Sequence, residues 1–452
     1  MEVPTRRRGR AQLERSPEAE RIGRSAVFGP YLRPRPGANR GVSARSPESR
    51  LSEATGLARA INLEVVECGV IPLSAITPAT YIGKGKVEEI AGIVRGASIE
   101  VAIMDCALSP GQQRNLEKAW NLKVLDRTGL ILEIFGQRAR TREGVLQVEH
   151  AHLTYQKSRL VRSWTHLERQ RGGFGFLGGP GETQLETDRR LIEERLARIE
   201  RDLESVKRTR GLHRRARKRV PYPVIALVGY TNAGKSTLFN RLTGGDVLEA
   251  DMLFATLDPT LRAVTLPRGG TAILSDTVGF ISDLPTALIA AFRATLEEVL
   301  EADIILHVRD IADPDSEAQR EDVESVLEEL GVGDAARERM VELWNKADLL
   351  PSIDRERLTN LAARRDPPAA LVSALNGTGL EAISELIEQK LSRARPVFEL
   401  RLEPEDGEGS GWLHRNTEVL ERTIAADGAV LMKVRADPSK AALVRKKFLA
   451  EG

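Results

Sequence analysis

The sequence contains little cysteine and few aromatic residues. Only Cys68 and Cys106 occur among its 452 residues, which excludes a disulfide-stapled secreted domain and a cysteine-rich zinc site. Aromatic residues make up 4% of the chain, so its cores must be mainly aliphatic. Hydrophobic residues still amount to 41%, which is enough for several packed cores and excludes a wholly disordered chain.

The chain also lacks an excess of charge and a long apolar run. Its 67 Lys and Arg residues nearly balance 65 Asp and Glu residues, so a nucleic-acid partner can be inferred only from local clusters. No apolar run approaches the ~18 residues of a membrane span, and no signal-peptide core follows Met1. We therefore expect a cytoplasmic, monomeric protein without stable membrane insertion, with about three domains.

The first 55 residues are rich in arginine. Residues 1–50 contain 12 Arg and 5 Glu, and Pro30, Pro34 and Pro36 would interrupt a helix. This composition predicts a disordered basic arm over residues 1–55. An organelle transit peptide is the alternative, which the five Glu disfavour.

Residues 56–137 alternate between strand and helix patterns. Strands are predicted at 63–70, 99–105 and 122–126, and helices at 86–94 and 110–120. Such alternation predicts an N-terminal α/β domain with a parallel sheet.

Residues 138–220 have the pattern of a helical hairpin. In its second arm, Ile192, Leu196, Ile199, Leu203 and Val206 follow a coiled-coil spacing. The segment Gly172–Gly181 contains six Gly together with two Phe, and no stable helix continues through it. We therefore predict two antiparallel arms of roughly 40 Å joined by a pliable tip. The basic run 208–219, with seven basic residues and no acid, follows the second arm.

Residues 221–395 begin with a phosphate-binding motif. An apolar strand from Val224 leads into Gly-Tyr-Thr-Asn-Ala-Gly-Lys-Ser-Thr, which has P-loop spacing and precedes a helix. Glycines let backbone N–H groups surround phosphates, the lysine ammonium reaches the β/γ-phosphates and the serine hydroxyl completes Mg²⁺ coordination. The predicted phosphate-binding residues are Gly229, Tyr230, Thr231, Asn232, Ala233, Gly234, Lys235, Ser236 and Thr237.

Three further segments, each at the end of a predicted strand, complete a guanine-nucleotide site. The segment at 276–279 is predicted to contact Mg²⁺ through water and to place a backbone N–H near the γ-phosphate. The segment at 345–348 is predicted to bind guanine, and the segment at 373–375 to offer a backbone N–H to guanine O6. The Asp348 carboxylate can accept hydrogen bonds from the N1–H and the N2 amine of guanine. Because adenine has no such donor pair, this residue favours GTP over ATP. The residues are Asp276, Thr277, Val278 and Gly279; Asn345, Lys346 and Asp348; and Ser373, Ala374 and Leu375.

A switch segment is predicted between the first two of these motifs. It needs a threonine whose hydroxyl reaches Mg²⁺ when the γ-phosphate is present, and Thr256 and Thr260 both qualify by chemistry. The predicted nucleotide-contacting run is Phe254, Ala255, Thr256, Leu257 and Asp258.

These motifs together resemble the HflX GTPases. The resemblance covers about 61–395 and includes blocks that general GTPases lack: Tyr81–Glu89, Leu108–Glu117, Val124–Thr128 and Gly178–Glu186. It implies that Thr256 is the switch threonine, that Ser236 and Thr256 bind the metal, and that the partner is the 50S ribosomal subunit with its rRNA. It also implies a role in rescuing or splitting stalled ribosomes under stress, or in ribosome biogenesis.

The catalytic prediction names Lys235, Thr256 and Gly279, with Mg²⁺ as cofactor and GTP or GDP as ligand. Phe280 follows Gly279 where Ras-type sites place a water-orienting Gln, so we expect slow intrinsic hydrolysis that a partner raises. Asn232 resembles the asparagine of GTPases that bind K⁺ beside the phosphates, although it could simply bond within the loop.

Two other functions remain open from the sequence. One is a regulatory switch that binds a protein partner, and the other is an RNA-remodelling ATPase whose second site lies at Gly83–Lys86. Residues 396–452 predict a small C-terminal α+β module, with strands at 397–402 and 429–435 and helices at 413–421 and 439–449.

Overall fold

The structure is a computed structural model. It describes residues 23–32, 45–170, 180–217, 222–245, 253–254, 256–257, 259–267, 270–284, 298–333, 338–365, 369–394, 396–425, 427–436 and 438–449.

The N-terminal part of the chain folds as a parallel sheet with helices. Four strands have the order β2-β1-β3-β4, and every neighbouring pair is parallel. The elements are β1 Arg24–Leu32, α1 Pro47–Ala60, β2 Glu64–Leu73, α2 Lys84–Gly96, β3 Val101–Met104, α3 Pro110–Trp120, β4 Lys123–Asp126 and α4 Arg127–Arg138.

The disordered arm predicted for residues 1–55 is wrong over two segments. Strand β1 lies inside the sheet between β2 and β3, and its Ala26 and Val27 are fully buried. The high arginine content of residues 1–50 dominated the sequence interpretation, so this short apolar run was not predicted as a strand. Helix α1 begins within the same region, where the Ser46 hydroxyl accepts a hydrogen bond from the Ser49 N–H at 3.0 Å. Residues 1–22 and 33–44 lie outside the described part of the chain.

Two long antiparallel helices follow, α5 Arg142–Gln170 and α6 Pro180–Arg217. Ion pairs join them, with Glu149 to Arg195 at 2.7 Å and Lys157 to Glu193 at 3.1 Å. Leu196 and Ile199 are buried, as the coiled-coil spacing predicts. Helix α6 continues into the basic run as far as Arg217, so its 38 residues span about 57 Å, more than the predicted arm. In the described residues, no helix is long and apolar enough to cross a membrane.

A second, six-stranded sheet carries the predicted nucleotide motifs. Its order is β10-β9-β8-β5-β7-β6, and only the β6–β7 pair is antiparallel. The elements are β5 Val224–Gly229, α7 Lys235–Thr243, β6 Thr260–Thr265, β7 Thr271–Asp276, β8 Ile304–Asp310, α8 Ser316–Glu329, β9 Met340–Asn345, the 3₁₀ turn Ala347–Leu349, α9 Ser352–Ala362, β10 Ala369–Leu371 and α10 Leu380–Ala394. The predicted α/β class is confirmed, and β5 leads through a loop into α7 as the P-loop motif predicts.

The C-terminal residues form an antiparallel three-stranded sheet with two helices. The elements are β11 Val397–Leu402, α11 Gly407–Asn416, β12 Glu418–Ile424, β13 Val430–Arg435 and α12 Pro438–Phe448. The helix predicted over 413–421 is wrong in its second half, because α11 ends at Asn416 and the following residues pair with β13. A partner strand across the sheet outweighed their local preference.

One hydrophobic core spans both α/β sheets. It joins Val27 of the N-terminal sheet and Phe135 of helix α4 to Val228, Phe254 and Phe280 around the nucleotide motifs. The rings of Phe135 and Phe254 meet edge to face, with centroids 4.7 Å apart and planes at 74°. The N-terminal sheet and helices therefore pack directly on the loops that follow β5 and β7.

Candidate nucleotide-binding site

Two glycines shape the loop between β5 and α7. Gly229 has φ +152°, and a Cβ atom there would lie 2.1 Å from the carbonyl oxygen of Val308 in β8. Gly234 has φ +91°, and a Cβ atom there would lie 2.2 Å from Nδ2 of Asn345. Any side chain at either position would clash, so the loop can pass this close to β8 and β9 only with glycine.

Lys235 is buried at the start of α7. Its Nζ donates to the carbonyl oxygens of Gly229 at 3.1 Å and Tyr230 at 2.8 Å, so the side chain folds back over the loop. Burial lowers the pKa of Lys235 to about 8, and the charge of Asp276 offsets part of that shift. The loop therefore holds a lysine whose ammonium gains from a new anionic partner.

Ser236, Thr256 and Asp276 meet in one cluster of oxygen atoms. The Ser236 hydroxyl lies 2.8 Å from Asp276 Oδ2 and 2.9 Å from the Thr256 hydroxyl, which itself donates to Asp276 Oδ2 at 2.9 Å. Burial raises the pKa of Asp276, and its buried Oδ1 has no hydrogen-bond partner within the described residues. Two hydroxyls beside a carboxylate with an unused oxygen fit a hard divalent cation such as Mg²⁺.

The loop after β7 lies against the phosphate-loop backbone. Phe280 donates its N–H to the Gly229 carbonyl at 3.1 Å and accepts the Thr231 N–H at 2.8 Å. A Cβ atom on Gly279 would lie 2.9 Å from Thr231 Cγ2 and 3.0 Å from Lys235 Nζ. The Phe280 ring is 1% exposed, so it belongs to the core and cannot contact water.

Thr277 and Val278 are both buried beside this loop. The Thr277 hydroxyl donates to the carbonyl of Leu227 in β5 at 2.5 Å, and Val278 belongs to the shared core. Because both side chains make contacts in the protein interior, these two residues hold the turn in place.

The phosphate loop and the two segments predicted to bind guanine are connected through Asn345. Its Nδ2 donates to the Ala233 carbonyl at 2.8 Å, and its Oδ1 accepts the Ala374 N–H at 2.9 Å. The Ser373 hydroxyl donates to Asp348 Oδ1 at 2.5 Å, which orients that carboxylate. One buried amide thus joins the phosphate loop to the loops after β9 and β10.

The remaining predicted residues border these loops. Lys346, in the left-handed conformation, pairs with Asp310 at 2.7 Å. Leu375 is 67% exposed, and its carbonyl accepts from Arg241 at 2.5 Å. Asn232 is exposed with φ 60° and lines a cleft of about 300 Å³ between the phosphate loop and α1. Phe254 and Leu257 are buried, Thr237 is half-buried, and Ala255 and Asp258 lie outside the described residues.

Sequence reasoning missed the polar contacts between the N-terminal helices and these loops. Arg45 and Glu53 both reach the hydroxyl of Tyr230, a residue predicted only to border phosphates. Arg127 and Ser282 also join this set. Arg127 lies in the block Val124–Thr128, one of the segments that general GTPases lack, and this was the one sequence signal for its role. Arg45 was assigned to the predicted disordered arm.

Known proteins resemble the chain over most of its length. Proteins named GTPase HflX from Magnetococcus marinus and Escherichia coli are 53% identical over 371 residues and 45% identical over 382 residues. Each match covers 82% of this chain, and 84% and 87% of the respective relatives. The chain belongs to the HflX family of GTPases.

Three family profiles match successive parts of the chain, which correspond to the N-terminal sheet and helices, the two long helices and most of the six-stranded sheet. They are described as a GTPase N-terminal region over 48–136, a GTPase middle region over 138–217 and a 50S ribosome-binding GTPase over 224–346. Strand β1 therefore precedes the matched N-terminal region. A solved GTP-binding protein from Sulfolobus solfataricus, in complex with GDP, is 24% identical with a TM-score of 0.43 and covers 82% of this chain and 98% of its own.

Proposed function

We propose that this GTPase binds the large ribosomal subunit in its GTP-bound form and rescues or splits stalled ribosomes in the cytoplasm. The observation that carries the proposal is the match of residues 224–346 to a profile described as a 50S ribosome-binding GTPase. The residues of the chain support a detailed assignment of the GTP-binding site.

The phosphates lie in the loop Gly229–Thr237, with Lys235 on the β- and γ-phosphates. Support comes from the buried lysine, whose ammonium lies over the loop backbone within 2.8 to 3.1 Å of two carbonyl oxygens. Asp348 accepts hydrogen bonds from guanine N1–H and the N2 amine, and the Ser373 hydroxyl orients its carboxylate.

Ser236 and Thr256 hold Mg²⁺, and Asp276 contacts it through water. Their oxygens already lie within 2.8 to 2.9 Å of one another, and Asp276 Oδ1 is available for a further partner. When bound, Mg²⁺ would supply positive charge that offsets the negative charge developing on the phosphates.

Gly279 presents its backbone N–H to the γ-phosphate, and intrinsic hydrolysis is slow. The support is the position of Gly279 against Thr231 and Lys235, together with the burial of Phe280 where a water-orienting side chain would stand. A ribosomal partner that orders the loops should raise the rate.

K⁺ beside the phosphates is a further element of the proposal, with Asn232 as its ligand. Support comes from the position of Asn232, which is exposed in the phosphate loop and lines the cleft beside it. GTP hydrolysis should then be faster in KCl than in NaCl at equal ionic strength. Equal rates would remove K⁺ from the mechanism.

The tip of the helical hairpin is the proposed probe for rRNA. Phe174 and Phe176 lie outside the described residues, and the helices Arg142–Gln170 and Pro180–Arg217 flank the segment that contains them. Exposed Phe side chains stack on bases for about 1–3 kcal/mol each. Replacing both by Ala should weaken ribosome binding without changing GTP affinity, whereas charge reversal within 208–219 should flatten the salt dependence of binding.

Co-sedimentation with isolated 50S subunits tests the function. The full chain should sediment with 50S subunits when bound to a non-hydrolysable GTP analogue and much less with GDP, and 50S subunits should accelerate hydrolysis. Failure to sediment in either nucleotide state would overturn the ribosomal proposal and favour a switch that binds a protein partner.

The structure gives no support to a second nucleotide site at Gly83–Lys86. Gly83 has an ordinary φ of −66° as the residue before α2, and Lys84 is 92% exposed on its side chain and pairs only loosely, at 3.9 Å, with Glu88. Lys86 pairs with Glu89 at 2.6 Å. This arrangement is that of an exposed helix start and does not support the ATPase alternative.

A further inference from the structure

A buried polar network connects the N-terminal helices to the nucleotide loops. It consists of Arg45, Glu53 and Arg127 from the N-terminal part, Tyr230 from the phosphate loop and Ser282 from the loop after β7, and we call it the inter-domain network. The side chains of Arg45, Glu53 and Arg127 are 9%, 8% and 5% exposed. Charged groups this deeply buried are stable only when paired, so the precise partners matter.

The Tyr230 hydroxyl is the centre of the network. It accepts hydrogen bonds from Arg45 at 2.7 Å and from the Ser282 backbone N–H at 2.8 Å, and it donates to Glu53. The Arg45 guanidinium also lies 4.8 Å from the centre of the Tyr230 ring. A phosphate-loop side chain is therefore held from the N-terminal side.

Ser282 is held through all three of its polar groups. Its N–H binds Tyr230, its carbonyl accepts from Arg127 at 3.0 Å, and its hydroxyl oxygen lies 3.0 Å from Arg127 and 3.1 Å from Arg45. Ser282 lies three residues after Gly279, and Phe280 between them bonds the phosphate loop on both sides. Hydrogen bonds at Phe280 and at Ser282 therefore hold the turn that follows Gly279.

The charges in the network balance one another. Burial would raise the pKa of Glu53, but the charges of Arg127 and Arg45 outweigh it and leave that pKa below its usual range. Arg127 pairs with Asp105 at 2.5 Å as well as with Glu53. Removing Arg45 alone would leave Glu53 paired with Arg127, so this position can be changed without leaving a buried charge alone.

We propose that Arg45, Glu53 and Arg127 are positioning residues for GTP hydrolysis. Through Tyr230 and Ser282 they fix the turn that carries Gly279, so that its N–H faces the γ-phosphate when GTP is bound. This inference rests on the proposed role of Gly279. Its consequence is that the N-terminal part of the chain sets both the hydrolysis rate and the preference for GTP over GDP.

A purely structural contact would have a different signature. A network that only holds two domains together would change the melting temperature and leave the turnover number and the nucleotide preference unaltered. A positioning network changes the turnover number and weakens the binding of a GTP analogue, while GDP affinity stays constant because GDP has no γ-phosphate.

The test uses the full-length variants R45A and Y230F. Y230F retains the ring beside Arg45 and loses only the hydroxyl. Each variant should lower kcat about tenfold, since small displacements of a positioning group cost of this order, and should weaken GTP-analogue binding relative to GDP. Because both residues act through Ser282, the double variant should be little worse than either single variant.

A matched control is R159A. Arg159 is also partly buried, pairs with Asp126 and lies 4.2 Å from the Tyr155 ring centre, but it does not belong to the inter-domain network. R159A should lower the melting temperature and leave kcat unchanged. Unchanged kcat and GTP preference in both R45A and Y230F would overturn the inference. G279A tests the underlying role separately: if it leaves GTP preference intact, Gly279 is not the sensor.

Discussion

The side-chain amide of Asn345 donates a hydrogen bond to the carbonyl of Ala233 at 2.8 Å, and so ties the loop predicted to bind guanine to the predicted phosphate loop. The same side chain accepts the Ala374 N–H at 2.9 Å. Asn345 is buried, so its removal would leave two backbone groups without partners, at a cost of about 1–3 kcal/mol each.

We expect N345A to weaken GDP and GTP-analogue binding equally, by at least about tenfold. Equilibrium titration with a fluorescent guanine nucleotide measures both affinities. N416A is the control, because Asn416 makes a comparable amide contact, to the Trp412 carbonyl at 3.0 Å, within the C-terminal module. Unchanged nucleotide affinity in N345A would contradict the bracing role.

Asp348 should determine the choice of base. Its carboxylate is oriented by the Ser373 hydroxyl at 2.5 Å, so a substitution changes the chemistry without moving the backbone. In D348N an amide N–H replaces one acceptor, which opposes the guanine N2 amine and suits the C2 carbonyl of xanthine. GDP affinity should fall at least about 100-fold while XDP binding improves.

Competition titrations with GDP, XDP and ADP would measure this exchange. S373A is the companion variant, because it loosens the same carboxylate and keeps its charge. It should weaken GDP binding modestly and leave the order of preference intact. Retained guanine preference in D348N would show that the base is read elsewhere.

Ser236 and Thr256 should differ in their nucleotide dependence although they lie 2.9 Å apart. Ser236 is the second residue of α7 and belongs to the phosphate-loop motif, so S236A should weaken Mg²⁺-dependent binding of GDP and GTP analogue alike. Thr256 lies on the predicted switch segment and contacts Ser236 and Asp276, so T256A should impair only GTP-analogue binding and hydrolysis.

T260A provides the matched comparison, because Thr260 was the other switch candidate and begins β6. Its nucleotide affinities and kcat should stay near those of the parent. A selective loss of GTP-analogue binding in T260A, with T256A normal, would assign the switch role to Thr260.

Local motifs explain why the nucleotide site was predictable. Glycine spacing, a buried strand and a helix start are encoded within a dozen residues, and the structure brings Ser236, Thr256 and Asp276 together as expected. Strand β1 was missed for the opposite reason. Its stability comes from pairing with β2 and β3, which lie more than 30 residues away in sequence, while the arginine-rich residues around its short apolar run resemble a basic tail.

The inter-domain network was unpredictable from sequence for the same physical reason. Arg45 and Tyr230 are separated by 185 residues, and nothing in either local pattern indicates the other. The helix starting at Ser46 could have been found, since Ser-Pro-Glu is a helix-start signal, but the surrounding arginines dominated the interpretation.

Gly56 offers a test of the contact between α1 and the switch loop. A Cβ atom on this helical glycine would lie 3.2 Å from Cδ1 of Leu253, the residue before Phe254. In G56L the larger side chain must displace Leu253, which should slow GTP hydrolysis and lower the melting temperature, although leucine favours a helix over glycine by about 1 kcal/mol.

G92L is the control for helix propensity. Gly92 lies inside α2, and a Cβ atom there meets nothing within 4 Å. This variant should melt at the same temperature as the parent or slightly higher, with unchanged hydrolysis. If G56L and G92L behave alike, the approach of α1 to Leu253 has no effect on the switch loop.

Nucleotide binding should take up a proton near pH 8. Burial lowers the pKa of Lys235 to about 8 in the nucleotide-free protein, below the usual lysine value of about 10.4. Because the folded pKa is depressed, the cost of the buried charge is fully present below pH 8 and is relieved as the pH rises toward the unfolded value. Phosphates beside Lys235 favour its charged form and raise this pKa again.

At pH 8, about half of the Lys235 side chains are then neutral before GDP arrives, so binding should take up about half a proton per nucleotide, and much less at pH 7. Calorimetric titrations in two buffers of different ionisation enthalpy measure this number directly. Proton release on binding, or an enthalpy independent of the buffer at pH 8, would contradict the prediction and show that Lys235 is already charged before the nucleotide binds.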